Sequence, residues 1–260
     1  MIDSFGKWLR LPMDASAHGQ NIDFLIVFTH WMMFALFIGW GIFFVFVLIR
    51  FRKSKNPKAN YKGVKSHASS YLEVAIAIIE AILLIGFSIP LWSERVNAFP
   101  PEENSTVVRV TGEQFAWNIH YPGADGKFGN TDVQKIDVQS NPVGLDYNDP
   151  AAKDDVVTVN QLHLPVDKPV IIHLSSKDVI HSFGVPLLRV KQDAVPGMSI
   201  PLWFEPKKEG QFEIVCSQLC GLGHYRMRGY IHVESEENYR TWLQNQAKAS
   251  SGGSGDDFWN

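Results

Sequence analysis

Two long apolar runs in the first hundred residues restrict the fold of this 260-residue chain more than any other feature. Residues 24–49 contain no charged side chain, and residues 72–92 contain only Glu73 and Glu80. Each run reaches the roughly 20 mostly apolar residues that an α-helix needs to cross a bilayer. Because the first run is apolar on every helical face, a buried helix of a soluble protein explains it poorly. We therefore predict a transmembrane helical hairpin with spans at about 24–49 and 72–92.

The segment between the runs, residues 50–71, indicates how the hairpin is oriented. It is rich in Lys and Arg and contains no acid, and short loops of this composition stay in the cytoplasm. Residues 1–23 and the chain beyond residue 92 are then predicted to lie outside the cytoplasm, which makes the chain a multi-pass protein of the inner membrane. Residues 1–23 lack the apolar core of a cleavable signal peptide, so the first span is predicted to anchor the mature chain.

From residue 107 the pattern changes to short β-type runs separated by Pro, Gly and Asp. The predicted strands are VVRVTG, QFAWNIHY, VVTVNQLHL, PVIIHLSS, MSIPLWFE, QFEIVC and GYIHVE. Such a series is typical of an antiparallel β-sandwich or barrel. We predict a periplasmic domain over residues 93–247 that ends in a helix over 235–247, followed by a flexible tail over 248–260. Residues 122–155 are predicted to form a solvated surface loop, because their aspartates do not have EF-hand spacing.

The two cysteines of the chain lie close together in the stretch CSQLCGLGHYRM. Cys216 and Cys220 are followed there by His224 and Met227. The flanking runs QFEIVC and GYIHVE predict strands, so the stretch is an inter-strand loop that is held at both ends. Thiolate, imidazole and thioether ligands together suit copper. His181, in DVIHSFGVP at the end of another predicted strand, is the natural candidate for a further ligand.

Three other interpretations compete with a two-copper site. A disulfide between the cysteines suits an oxidising compartment but leaves His224 and Met227 without a role. A Cys2His2 zinc site that includes His181 still leaves Met227 unexplained. A mononuclear blue-copper site needs two histidines, one cysteine and a weak methionine, and leaves one cysteine over. The second cysteine is the discriminating feature, because two thiolates can bridge two copper ions.

The cluster and its surroundings resemble a known family. Subunit II of the haem–copper cytochrome c oxidases has the pattern Cys-x-Glu-x-Cys-x3-His-x2-Met with an upstream His-Ser-Trp/Phe. Here these segments read CSQLCGLGHYRM and IHSFGVP, and KQDAVPG and the two-span start add to the likeness. The resemblance runs from about residue 14 to residue 243, apart from the long loop. It implies a cupredoxin-like β-barrel after the hairpin. It also implies a proton-pumping respiratory oxidase, in which this chain passes electrons from cytochrome c to haem in subunit I.

The resemblance implies that six residues hold a binuclear copper A centre: His181, Cys216, Gln218, Cys220, His224 and Met227. The two cysteines would bridge the coppers, and each histidine would bind one of them. The thioether would be the weak ligand of one copper, and the backbone carbonyl of Gln218 that of the other. The family usually has Glu at the position of Gln218, and that carboxylate binds magnesium or manganese at the interface with subunit I. A neutral amide is a poorer ligand for such a cation.

Three further residues match family positions outside the cluster. Phe115 and Trp117 match aromatic residues of a Gln-Trp-Tyr-Trp segment, in which the first Trp receives electrons from cytochrome c. Aromatic side chains on a strand also serve core packing, and both roles stay open. Glu73 matches the glutamate at the mouth of a proton channel into subunit I. Glu80 lies roughly 10 Å deeper on a similar helix face, and no family role transfers to it.

The resemblance also implies the partners of this chain. They are oxidase subunit I with its haem and copper B, the other oxidase subunits, cytochrome c as electron donor and membrane lipid. No nucleic-acid partner is expected, and the absence of a CxxCH motif predicts no c-type haem on this chain. The two cysteines argue against a copper-free quinol oxidase subunit II, and the two spans argue against the copper domain of nitrous oxide reductase. A membrane-tethered copper electron carrier is the alternative that stays open.

Overall fold

Both apolar runs fold into long helices in the computed structural model of the chain, which describes residues 6–58, 61–63 and 66–251. Helix α1 spans Gly19–Arg50. The second run consists of α2 (Ala68–Leu83), one π-helical turn (Leu84–Ser88) and α3 (Ile89–Asn97). The π turn ends two residues before Pro90, whose missing N–H cannot complete a regular α-helical ladder. Both helical stretches are long and apolar enough to cross a membrane, which agrees with the predicted hairpin.

The chain forms two compact units, and the segment before the hairpin belongs to the second of them. That unit consists of Pro12–Gln20 together with the chain from Ala98 onward. The N–H of Ala15 donates to the carbonyl of Leu187 (2.9 Å), and the N–H of Lys207 donates to the carbonyl of Ala15 (2.8 Å). The segments that precede and follow the hairpin in the sequence therefore belong to one compact unit. This contact was not predicted from the sequence.

The described residues of the second unit include ten strands in two five-stranded sheets. The strands are β1 (Thr106–Glu113), β2 (Ala116–Tyr121), β3 (Val156–Val159), β4 (Gln161–Pro165), β5 (Val170–Ser176), β6 (His181–Val185), β7 (Val190–Ala194), β8 (Ile200–Phe204), β9 (Gly210–Cys216) and β10 (Arg228–Glu234). One sheet has the order β3-β2-β1-β5-β8, and the other has the order β4-β10-β9-β6-β7. This two-sheet β-domain after two apolar helices confirms the predicted fold class.

The core between the sheets explains why these segments become strands. Side chains alternate between the interior and the surface along β1 and β10, as the period of two in a half-buried strand requires. The largest side chains that are fully buried include Trp117, Tyr121, Phe183 and Phe204. Removing such aromatic surface from water supplies the main driving force for closing the sandwich.

The strand pattern differs from the sequence prediction at three points. The predicted strand VVTVNQLHL is two strands in different sheets, because Asn160 adopts a left-handed conformation (φ 60°) and turns the chain across the sandwich. This crossing makes distant strands neighbours, so β1–β5 and β4–β10 pair in parallel in a mainly antiparallel domain. The predicted strand QFAWNIHY begins only at Ala116, because Gln114 and Phe115 form the turn before it. Strands β6 and β7 were not among the predicted strands.

Residues 122–155 form an ordered loop rather than a simple solvated one. Many of its aspartates accept backbone N–H groups, as Asp154 does from Ala124 (2.6 Å). Asp155 is buried and accepts from His120 (2.6 Å) and from the N–H of Gly129 (2.8 Å). Within the described residues, none of these aspartates belongs to a group of three ligand atoms close enough to share a cation. The aspartates therefore order the loop through hydrogen bonds, as Asx turns commonly do.

Helix α4 (Glu236–Ser251) packs on the second sheet through a stack of rings. The imidazole of His163 lies between Trp242 (4.0 Å between ring centroids) and His232 (4.4 Å). The helix extends the predicted 235–247 by four residues into the predicted tail, and residues 252–260 lie outside the described residues. Burial and the neighbouring His232 lower the pKa of His163 from its ordinary 6.5 to about 4, and burial also lowers the pKa of His232.

We expect acid to loosen α4 from the sheet. Because the fold lowers the pKa of both histidines, their contribution to stability is complete above about pH 6.5 and is lost as the pH falls towards about 4. The neighbouring Glu234 opposes this trend, since burial and then Glu209 raise its pKa. Glu236 lies close by at the start of α4, where it pairs with Lys168 (3.8 Å).

Hydrogen exchange of α4, corrected for intrinsic rates, should therefore increase between about pH 7 and about pH 5. The matched variant is His163→Phe, which keeps a ring against Trp242 but cannot be protonated. It should show a smaller acid response than the wild type. An equal response in both chains would mean that other groups cause the loosening.

Candidate metal centre

The candidate centre lies where β9 leads into β10. Strand β9 ends at Cys216 and β10 begins at Arg228, so residues 217–227 form the connection, here called the ligand loop. The N–H of Cys216 donates to the carbonyl of Met227 (3.3 Å), which closes the base of the loop. Strand β6 pairs with β9, with Phe183 opposite Cys216, and this pairing brings His181 beside the loop. Both ends of the ligand loop are therefore fixed by a sheet.

The predicted ligand atoms converge at this point. The two cysteine Sγ atoms are 3.7 Å apart and both thiols are free. Nδ1 of His181 lies 3.9 Å from Sγ of Cys216, and Nδ1 of His224 lies 3.6 Å from Sγ of Cys220. The carbonyl oxygen of Gln218 is 3.1 Å from Sγ of Cys216. The Sδ atom of Met227 is 3.7 Å from Sγ of Cys220. Each thiol thus has one imidazole and one weak donor beside it.

The cluster is shielded from water. The exposed fractions are 0% for His181, 9% for Cys216, 4% for Cys220 and 2% for Met227, while His224 is half-buried. Burial, followed by the hydrogen bond and charge of Cys216, raises the pKa of the Cys220 thiol to about 11. This thiol is therefore protonated at neutral pH in the metal-free chain. A metal that binds here displaces the proton, because the thiolate is the ligand.

A carboxylate behind the cluster orients one of the imidazoles. Nε2 of His181 lies 2.8 Å from Oδ1 of Asp178, and a donor at Nε2 leaves the lone pair of Nδ1 directed at the thiols. Partial burial of Asp178 opposes its ionisation. Hydrogen bonds from His181 and from the N–H groups of Val179 and Gln114 outweigh that effect and lower its pKa. Such a carboxylate–histidine pair fixes the tautomer and the ring orientation of a metal ligand.

The two predicted aromatic residues occupy different positions around the cluster. Trp117 is fully buried, and its ring meets those of His181 (6.1 Å) and Phe183 (5.6 Å) edge-on. Phe115 is partly buried and packs directly under the ligand loop. A Cβ atom added to Gly223 would lie 2.4 Å from the Phe115 ring. Trp117 is therefore part of the core, and Phe115 lies between the core and the ligand loop.

The outer surface of the ligand loop is apolar, a feature that was not predicted from the sequence. Leu219, Leu222 and Tyr225 are 77%, 97% and 86% exposed. The signal was present in the sequence, because three large apolar residues stand between ligand-type residues in a Gly-containing loop. Clustered exposed apolar side chains commonly mark an interaction surface.

Comparison with known proteins identifies the family. Residues 105–235 match the family described as cytochrome C oxidase subunit II, periplasmic domain. The chain belongs to this family. The alternative cytochrome c oxidase subunit 2 of Bradyrhizobium diazoefficiens is 36% identical over 244 residues, which cover 93% of this chain and 85% of that protein. The cytochrome c oxidase subunit 2 of Cereibacter sphaeroides is 33% identical over 204 residues, which cover 73% of this chain and 65% of that protein.

A solved structure shows the same likeness more weakly. The periplasmic domain of subunit II of the cytochrome oxidase of Bradyrhizobium japonicum is 29% identical and covers 58% of this chain and 97% of its own, with a TM-score of 0.43. The assignment rests on the family match and the sequence relatives. This member of the subunit II family is therefore a subunit of an oxidoreductase complex. It is anchored in a membrane and has an extracytoplasmic domain.

Two predicted residues lie outside the buried cluster. The side chain of Gln218 is exposed on the ligand loop, so only its backbone carbonyl is directed at the sulfur atoms. Glu73 lies on α2 in the other compact unit and is exposed there, as is Glu80. Among the described residues, one group of three metal-type ligand atoms lies close together, and it consists of His181, Cys216 and Cys220. Copper fits this donor set of soft sulfur and imidazole.

Proposed function

We propose that this chain is the electron-accepting subunit II of a respiratory cytochrome c oxidase. Its binuclear copper A centre would be held by the six residues His181, Cys216, Gln218, Cys220, His224 and Met227. One observation carries the proposal. Each of two thiols that are 3.7 Å apart has its own imidazole Nδ1 within 3.9 Å and its own weak donor. A mononuclear site has no need of this doubled set, whereas a two-copper centre would use all of it.

A copper A centre accepts and donates one electron at a time when it is loaded. The residues of this chain contribute the rigid and dry surroundings that such a step needs. Strands fix both ends of the ligand loop, and Asp178 fixes the orientation of His181. Burial of the thiols and of Met227 excludes water from the donor atoms. A stiff ligand set changes little between the two oxidation states, and this lowers the cost of electron transfer.

We propose that electrons come from a cytochrome c at the apolar surface of the ligand loop and leave to haem in subunit I. Leu219, Leu222 and Tyr225 supply an exposed surface for docking. Phe115 packs against the ligand loop and against the core cluster that contains Trp117, which supports a role in electron entry for this pair. The chain after residue 92 has 15 Lys or Arg against 22 Asp or Glu. A net negative domain favours association with a basic donor.

A second metal ion beside the copper site would depend on Gln218. Magnesium and manganese prefer carboxylate oxygens, and the amide of Gln218 offers only a neutral oxygen. We propose that any magnesium or manganese at the interface with subunit I binds more weakly here than in relatives that have Glu. The copper ligand role of Gln218 does not change, because it uses the backbone carbonyl.

Metal content and the copper hyperfine pattern test the copper proposal. The full chain is the appropriate sample, because Pro12–Gln20 belongs to the second compact unit, which contains the β-domain and is called the outer unit below. We expect two coppers per chain and, in the oxidised form, one unpaired electron shared by two equivalent copper nuclei. One tightly bound zinc, or a hyperfine pattern from a single copper nucleus, would reject the binuclear centre. Co-purification with a haem-bearing subunit separates an oxidase subunit from a membrane-tethered copper carrier.

We propose that Glu73 accepts protons at the mouth of a channel into subunit I. Its place in the second turn of α2 (Ala68–Leu83), close to the basic loop, supports this role, since a channel mouth must lie near the membrane surface. Glu73→Gln should slow turnover of the whole oxidase several-fold, because the amide cannot carry a proton, and should leave reduction of the copper centre unchanged. The measurements are steady-state oxygen consumption and the rate of copper reduction. The matched control is Glu80→Gln, and equal turnover in Glu73→Gln and the wild type would remove Glu73 from the proton path.

A further inference from the structure

Gln114 connects the two sides of the metal cluster through hydrogen bonds. It lies in the turn between β1 and β2. Its side-chain Nε2 donates to the backbone carbonyl of Cys220 (2.6 Å). Its backbone N–H donates to Oδ2 of Asp178 (2.7 Å), whose Oδ1 accepts from Nε2 of His181 (2.8 Å). One residue outside the ligand loop therefore reaches Cys220 directly and His181 through one carboxylate.

The ligand loop depends on this contact because it has few others. Among the residues that the structure describes, residues 218–223 are joined to the chain outside the loop by the bond from Gln114 and by contacts of Gln218 and Cys220 with the Cys216 thiol at the base of the loop. The two ends of the loop are held at its base, where the N–H of Ser217 donates to the carbonyl of Ser182 (2.9 Å). Between them the backbone bonds are internal, such as the N–H of His224 to the carbonyl of Gly221 (3.1 Å). Leu219 and Leu222, on either side of Cys220 and Gly221, are exposed and cannot anchor the backbone by burial.

The glycine content of the loop fits a close approach to Gln114 and Phe115. A Cβ atom added to Gly221 would lie 2.7 Å from Nε2 of Gln114, and Gly221 also has φ 133°. Side chains rarely adopt that conformation. Gly223 leaves room for the ring of Phe115 in the same way. The backbone of the ligand loop thus lies directly on the turn formed by Gln114 and Phe115.

We propose that Gln114 is a positioning residue for the metal centre. It fixes the loop backbone at Cys220 and, through Asp178, the imidazole of His181, so that both ligands stand in place before a metal binds. This inference rests on the proposed function only in taking these residues as ligands. Gln114 itself supplies no ligand atom in this assignment. Its effect passes through the two residues that it connects.

The first test uses the copper-free full chain and the variant Gln114→Met. Methionine matches glutamine in length and cannot donate to the carbonyl of Cys220. The loss of one such hydrogen bond should raise the hydrogen-exchange rate of residues 218–223 by about three- to tenfold, with no change in β10. Gln192→Met, at a partly buried glutamine of β7 outside this network, is the control and should exchange like the wild type.

The second readout is the spectrum of the copper-loaded chain. In Gln114→Met the copper hyperfine pattern should differ from that of the wild type, because the backbone at Cys220 loses its direct anchor and Cys220 would bind both coppers. A purely structural role would instead raise exchange throughout both sheets. Gln114→Asn keeps the amide on a shorter side chain, and it should give an intermediate exchange rate. If Gln114→Met does not fold, the exchange rate and the copper spectrum are measured on Gln114→Asn instead.

The inference would be overturned if residues 218–223 exchanged at the wild-type rate in both Gln114 variants. It would also be overturned if the hydrogen-exchange rate rose equally in every strand. The exchange experiment requires no copper. If the wild-type chain failed to bind two coppers, the proposed function would fail, while the positioning role of Gln114 would still be decided by exchange.

Discussion

Cys216→Ser is expected to abolish the shared-electron signal of the copper centre. Cys216 is buried between Nδ1 of His181 and the carbonyl of Gln218, and its Sγ is 3.7 Å from that of Cys220. A serine hydroxyl is a harder ligand and does not bridge copper ions as a thiolate does. The remaining donors, with Cys220 as the sole thiolate, then suit a single copper. The hyperfine pattern should change from that of two equivalent nuclei to that of one.

In Cys216→Ser the activity of the whole oxidase should fall together with the shared-electron signal. Changes to residues that merely support metal ligands cost about 10- to 100-fold in activity, so the loss of a bridging ligand should cost more than about 100-fold. The measurements are the hyperfine spectrum, the copper content and oxygen consumption with reduced cytochrome c. Gln211→Ala, at an exposed position of the same strand, should leave all three unchanged. Retention of two equivalent coppers in Cys216→Ser would contradict the bridging role.

Trp117→Ala is expected to destabilise the outer unit by about 3–5 kcal/mol, the usual cost of truncating a large buried aromatic side chain. Trp117 is fully buried against His181 and Phe183, and its backbone is joined to Asn160 by two hydrogen bonds of 2.8 Å. The cavity left by the indole would also remove the surface on which the His181 ring rests. Copper should therefore dissociate faster from this variant than from the wild type.

Chemical denaturation of the full chain measures the free energy of unfolding. Tyr147→Ala, at an exposed aromatic residue of the long loop, is the control and should change it by less than about 0.5 kcal/mol. Trp117→Phe separates packing from electron transfer, because it keeps most of the buried ring and removes the indole. A normal rate of copper reduction in Trp117→Phe would show that Trp117 serves core packing and not electron transfer. Unchanged stability in Trp117→Ala would show that the core role is wrong.

The local features of the chain were predictable because they depend on residue order alone. The hairpin follows from the length and apolarity of residues 24–49 and 72–92. The strands follow from alternation, and the ligand loop follows from the spacing of Cys216, Cys220, His224 and Met227. The distant ligand candidate, His181, was proposed from its place at the end of a predicted strand and then matched a family pattern, and the pairing of β6 with β9 gives the physical reason why it lies beside the loop.

The pairing of the strands was not predictable from the same patterns. Alternation shows which side chains face inward but does not show which strand lies beside which. Asn160 illustrates the difficulty, because one left-handed residue within an apparently continuous strand sends the chain to the other sheet. Gln114 could not be recognised either, since its partners are 64 and 106 positions away in the chain.

The composition and spacing of the sequence were sufficient for the membrane hairpin, for the β-domain and for the thiol, imidazole and thioether donors of the ligand loop. These depend on properties that neighbouring residues share, such as apolarity, period and ligand chemistry. The folded chain added the attachment of Pro12–Gln20 to the outer unit, the burial of Trp117 and the hydrogen bonds from Gln114 to Cys220 and Asp178. Such contacts join residues that are distant in the chain, and they arise only when the two sheets close around a common core.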